Sequence, residues 1–198
     1  MTRGGLAWVG LAGLLGGFAL SAWAVPHGAI DWQPRYALSQ PWRAFTAAGV
    51  HFSAQHLVAN LGGVLLTGGF GFIAQVPARL AWAWFVAWPL TQFGLLIEPA
   101  LVHFGGLSGV LHAGFTIVVT FLLVRGTGMQ RGVAVAVSIG LVAKLLNEAP
   151  WGAALRYPAG WDIAIAPLAH TTGAVAGAAC ALIALHLPRN AGSTTPPA

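Results

Sequence analysis

Six long apolar runs dominate this chain of 198 residues. One crossing of a hydrocarbon core as helix takes about 20 apolar residues. Within lipid, backbone donors and acceptors must be satisfied inside the protein, so little but helix can carry such runs. They lie at Leu6–Val25, Ala54–Ala74, Leu80–Ile97, Leu107–Val124, Gly132–Leu146 and Ile163–Leu187. The fifth is short and runs on towards Ala149, past Lys144, which either snorkels or faces the bundle. The expectation is an all-α membrane protein: a bundle of six transmembrane helices forming one domain over residues 1–198. The small polar tail 188–198 is expected to be disordered.

Composition supports that reading. Apolar residues make up 57% and charged residues 7%, against about 25% charged in a soluble domain. No room is left for a separate soluble domain. Nine Lys and Arg against four Asp and Glu give a positive balance, but the basic residues are dispersed. They form no stripe of the kind that tracks phosphates, so the bilayer is the expected partner and nucleic acid is not. The single Cys180 excludes an internal disulfide. Arg3, the first apolar run and Ala22-Trp23-Ala24 imitate a secretory signal. The run exceeds the roughly 7–15 residues usual for such signals, so it is read as a retained helix. With the amino terminus inside, the inner side receives Arg3, Arg79, Arg125, Arg131 and Arg189 and no acidic residue. The outer side receives Arg35, Arg43 and Arg156 with Asp31, Glu98, Glu148 and Asp162. That asymmetry places both termini in the cytoplasm, and the expected location is a multi-pass position in a bacterial inner membrane.

Polar residues inside lipid are costly and commonly paired and functional. Ser108 lies 17 residues before Arg125; His170 lies 19 before Arg189, and His56 lies 19 before Gln75. At the helical rise the difference is roughly 3 Å, so these residues fall in one layer of the outer leaflet. A serine hydroxyl becomes nucleophilic when a neighbouring base takes its proton, and neutral imidazole suits that task. Gly173 and Gly177 on the His170 helix, and Gly109 on the serine helix, permit close approach. His56 and Asn60 are four apart, hence on one helix face, and both can donate to a developing oxyanion. The Ser108 amide, near a helix start, is a further donor.

Three segments carry a family resemblance. WRAFTAAGVHFSAQHLVANL (Trp42 to Leu61), FGGLSGV (Phe104 to Val110) and AHTTGAVAG (Ala169 to Gly177) resemble the signature regions of rhomboid intramembrane serine proteases. The match covers the order and spacing of all six helices. It implies Ser108 as nucleophile, His170 as its base, and His56 with Asn60 as oxyanion stabilisers. Trp42 and Arg43 match a WR pair with a structural role in the first outer loop, and His51 resembles a position supporting that loop. Many bacterial rhomboids carry Tyr four residues after the serine, where this chain has His112. The GLSGVLH string resembles the rhombosortase branch, whose members are thought to process carboxy-terminal Gly-Gly-type sorting tails. His112 shares a face with Ser108 and is placed to pack on His170 or perturb its protonation.

The bland readings are that His27, His103 and His186 are interfacial and without role, and that Gly105, Gly106 and Gly109 serve packing, as in any polytopic protein. Taken alone, Ser108 would be satisfied by its own helix carbonyl, and Asn60 would bond between helices. Three functional classes follow. The leading one is a serine protease hydrolysing peptide bonds in or near the transmembrane segment of membrane-anchored substrates. The second is a catalytically silent relative that binds membrane clients. The third is a histidine-lined transporter or metal-binding protein, which the lack of HExxH and the loop positions of the four acidic residues disfavour. No cofactor or metal is implied.

Overall fold

The computed structural model describes residues 2–187. Eight helices follow in order: α1 (Arg3–Ser21), α2 (His27–Ile30), α3 (Arg43–Thr46), α4 (Ala54–Ile73), α5 (Ala78–Phe93), α6 (Ser108–Arg125), α7 (Gly128–Asn147) and α8 (Pro167–His186). Among the described residues, six are long and apolar enough to cross a membrane: α1, α4, α5, α6, α7 and α8. The short α2 and α3 belong to the connection between the first two spans. The predicted tail 188–198 lies outside the described residues.

Helix starts follow local chemistry. The Thr2 hydroxyl accepts from the Gly5 amide at 3.2 Å, and that of Ser53 accepts from His56 at 3.1 Å, both satisfying first-turn donors. Three expected boundaries, on the last two spans, are corrected. The fifth span begins at Gly128, not Gly132, because Thr127 and Gln130 form a capping box. It ends at Asn147, short of the expected Ala149, which takes φ 49° and turns the chain away. The sixth span begins at Pro167, not Ile163: residue 165 is bridged to Arg156 by paired backbone bonds of 2.9 and 2.8 Å, which hold it extended. Proline at the first helical position then starts the helix without losing a useful donor.

At the centre α6 and α8 are in backbone contact. A Cβ added at Gly173 would lie 2.0 Å from the Gly109 carbonyl oxygen, and one at Gly177 would lie 2.3 Å from that of Ala113. No side chain fits there, which is how small residues bring membrane helices together. On the other side, Trp8 of α1 stacks on Trp84 of α5 with centroids 4.5 Å apart. Their indoles donate to the Thr67 and Val110 carbonyls at 3.0 and 2.8 Å, so burying them leaves no polar orphan. α7 is peripheral, with Ala134 its single buried residue.

The outer connections are tied to one another. Trp32 and Phe104 exchange backbone bonds of 2.7 and 2.9 Å, and the Gly106 amide donates to Ala47 at 2.9 Å. Thus the first outer loop grips the segment that leads into Ser108.

Candidate active site

Ser108 opens α6, where a helix has no carbonyl of its own to pair with the first amides. The Ser108 Oγ lies 3.0 Å from Nε2 of His170, one turn into α8. The α6–α8 contact at Gly109, Gly173 and Gly177 sets that distance, because a wider helix separation would part the two side chains.

His170 Nδ1 lies 2.7 Å from Oε2 of Glu148, the residue that caps the end of α7. Lys144 Nζ donates to the other carboxylate oxygen at 2.7 Å and lies 3.4 Å from His170 Nδ1. Both neighbours cannot bond the same form of the ring: an ionised carboxylate only accepts, and an ammonium only donates. The carboxylate contact is the shorter by 0.7 Å (3.4 less 2.7), so Nδ1 carries the proton and Nε2 is left to accept from Ser108. Burial pushes the Glu148 carboxyl up, but the bond and charge of His170 and those of Lys144 outweigh it and hold it down, at about 2. At neutral pH Glu148 is therefore an acceptor.

The opposite wall comes from α4. His56 Nδ1 accepts from the Phe52 amide at 3.4 Å, which leaves Nε2 to carry the proton. The ring lies against Gly106, whose φ of 138° favours glycine and where an added Cβ would stand 3.0 Å from His56 Nε2. Asn60, one turn on, donates to the His56 carbonyl at 3.1 Å and keeps a second amide hydrogen. His51 is buried behind, its ring centroid 4.8 Å from that of His56 and its Nδ1 3.1 Å from the Gly49 carbonyl. Burial pushes the His51 imidazole below its ordinary value, although the Gly49 bond opposes this and His27 adds to it. His112 stacks on His170, centroids 4.3 Å apart and planes 16° apart. Its Nδ1 donates to the Ser108 carbonyl at 2.7 Å, so the His112 ring is fixed as a plate beneath the His170 ring.

Ser108, His170, His56, Asn60 and Glu148 all line one cavity of about 850 Å³, closed on the far side by α7 residues such as Val137 and Leu141. The arrangement can deprotonate a hydroxyl and offer N–H donors that line the same cavity. Trp42 and Arg43 stand apart from this cavity. Arg43 is buried and binds the Asp31 side chain at 3.1 Å and the Asp31 and Gly28 carbonyls at 2.9 and 3.1 Å; Trp42 is exposed. His103, read from sequence as without role, meets the same Asp31 at 2.6 Å.

Sequence reasoning missed Glu148 and Lys144 as members of the site. By sequence Glu148 is one of the outer-loop charges, and it lies 22 residues from its partner. The available signal was the i, i+4 pair itself, an acid and a base at the outer end of an apolar run.

No curated protein matches the chain. A family model described as Rhomboid domain matches residues 38–187. That span takes in α3 to α8 and every residue around the cavity, and the chain is a multi-pass membrane protein that belongs to the rhomboid family, a family of intramembrane proteases.

Proposed function

We propose that this chain is a serine endopeptidase that cleaves membrane-anchored proteins in or near a transmembrane segment. The observation that carries the reading is the 3.0 Å contact between Ser108 Oγ and an accepting His170 Nε2 in a cavity within the span region. A substrate segment reaches this cavity and presents a backbone carbonyl to Ser108. His170 takes the serine proton as the Oγ–C bond forms. The oxyanion is held by His56 and Asn60, each fixed by its own hydrogen bond, and by the Ser108 amide, held in place by the start of α6, so little reorganisation is needed. Collapse of the intermediate breaks the peptide C–N bond, and His170 returns the proton to the leaving amine. Water from the outer face, activated by the same imidazole, then releases the acyl group.

Within the family, the GLSGVLH string supports placement in the rhombosortase-like branch, acting on carboxy-terminal Gly-Gly-type sorting tails. His112 stands where many relatives have Tyr, and its stacking on His170 keeps the planar support such a residue provides. In this reading both termini lie in the cytoplasm and the cavity faces outward, which the charge asymmetry supports. The intact serine and histidine pair weighs against a silent client-binding role.

The test is labelling by a fluorophosphonate, which phosphonylates activated serines, together with cleavage of a single-span reporter ending in a Gly-Gly-type tail. Both are expected to vanish in Ser108→Ala and His170→Ala, since loss of one member of a catalytic unit costs nearly as much as loss of all. Cleavage that survives Ser108→Ala would end this reading.

A further inference from the structure

We propose that Glu148 is a positioning residue for His170, so that the site works as a Ser108–His170–Glu148 triad with Lys144 holding the acid. This deepens, and rests on, the assignment of Ser108 and His170 as nucleophile and base.

The geometry is that of an acid built to orient an imidazole. Glu148 Oε2 accepts from His170 Nδ1 at 2.7 Å while Nε2 faces Ser108 at 3.0 Å, so the three groups form one chain of hydrogen bonds. The acid is not a loose surface carboxylate. Its side chain is 15% exposed, its backbone amide donates to Lys144 at 3.1 Å, and its second oxygen is taken by the Lys144 ammonium. Ala149, with φ 49°, turns the chain immediately after it, and Arg156 binds the Asn147 carbonyl at 2.9 Å just before it. Around the imidazole stand His112 from α6, Lys144 from α7, Glu148 just past the end of α7, and His56 from α4 across the cavity. Of these, Glu148 is the one negative group.

The consequence is chemical. When Ser108 gives its proton to Nε2, the ring becomes a cation in a largely apolar cavity. Glu148 keeps the proton on Nδ1 in the resting state, which selects the tautomer that can act as base. It then faces the imidazolium without taking a proton from it. In a soluble serine protease the corresponding acid contributes a factor of about 10⁴. The bond also crosses from α7 to α8, two helices that otherwise touch little. A purely structural tether would use the same contact, so the test must separate the two.

The probe is a fluorophosphonate, with the limiting rate of Ser108 phosphonylation and the half-saturating concentration measured separately in detergent. Glu148→Gln keeps the shape and can still bond to His170. It is expected to lower the limiting rate by about 10²–10⁴-fold and to leave half-saturation unchanged. Glu148→Ala is expected to regain part of its rate with added formate, which can occupy the vacated carboxylate position. In the wild type a low-field proton resonance from His170 Nδ1 is expected, absent in Glu148→Gln. A Glu148→Gln rate within about threefold of wild type, or failure of formate to act, would overturn the triad while leaving Ser108 as nucleophile. Should both variants fail to fold, the wild-type spectrum decides: without the low-field resonance the triad is wrong. No labelling of the wild type would instead overturn the nucleophile assignment, and the triad with it.

Discussion

His56 and Asn60 divide two tasks that their i, i+4 spacing alone cannot separate. His56 has its Nδ1 occupied by the Phe52 amide and presents Nε2 beside Gly106, whereas Asn60 spends one amide hydrogen on the His56 carbonyl. If both remaining hydrogens meet the oxyanion, His56→Ala and Asn60→Ala should each slow turnover of the reporter by about 10²–10³-fold with KM nearly unchanged. Steady-state kinetics check this, and a change confined to KM would assign the residue to substrate binding. These two residues, with Ser108 and His170, were legible in the sequence because each sits inside an apolar run where a polar group is expensive. Glu148 was not, because a carboxylate one residue beyond a helix end carries no such cost on paper. Its burial depends on where the chain turns at Ala149, a property of the folded loop rather than of local composition. Likewise Arg43 and Asp31 are separated by 12 residues, and their pairing is visible only once the outer loop closes on itself.

At the scale of elements, the serine helix and the histidine helix are positioned by what they lack. The close approach was readable from Gly173 and Gly177, spaced four apart, and from Gly109 on the serine helix; that Gly177 meets Ala113 was not, since register between helices is settled by packing. Gly177→Ala puts a methyl group 2.3 Å from a backbone carbonyl that has no flexible end to move aside. The helices must separate, and overpacking of this kind costs typically about 1–3 kcal/mol. The expected outcome is a lower melting temperature in detergent together with slower fluorophosphonate labelling, because the same shift draws His170 from Ser108. Gly17→Ala on α1, where an added Cβ meets nothing within 4 Å, is the control and should leave both unchanged or raise stability slightly. Equal behaviour of the two variants would show that α6 and α8 are not in backbone contact. The ends of α7 and α8 were less legible for opposite reasons. Gly128 to Arg131 is too polar to join an apolar run yet is capped as helix, and Ile163 to Ala166 is apolar yet held extended by the Arg156 bridge.

At the scale of the molecule, the basic and acidic residues separate in space as they do along the chain. Arg79 and Arg125 line one cavity with Gln75 and His186, so the ends of α4, α6 and α8 and the start of α5 meet at a single basic end. Asp31, Glu148 and Asp162 sit at the other end: Asp31 with Arg43, Glu148 with His170, and Asp162 accepting from Ser53 at 2.7 Å. Excess Lys and Arg mark the cytoplasmic side, so the cavity should open to the outer face, where hydrolysis finds its water. Cysteine labelling tests this once Cys180 is replaced by Ser. Met129 is 85% exposed at the basic end, and a cysteine there leaves the Thr127–Gln130 capping box intact. Met129→Cys should react with a membrane-impermeant maleimide only from the cytoplasmic side. Ala100 is exposed in the segment that leads to Ser108, and Ala100→Cys should react only from outside. Ser108→Cys, in the lining of the 850 Å³ cavity, should react slowly with a small hydrophilic reagent from outside and hardly at all with a bulky one. Labelling of Met129→Cys and Ala100→Cys from the opposite sides would invert the molecule. A Ser108→Cys sealed from every aqueous reagent would deny the acyl-enzyme its water, and the chain would then be a binder of membrane clients rather than a protease.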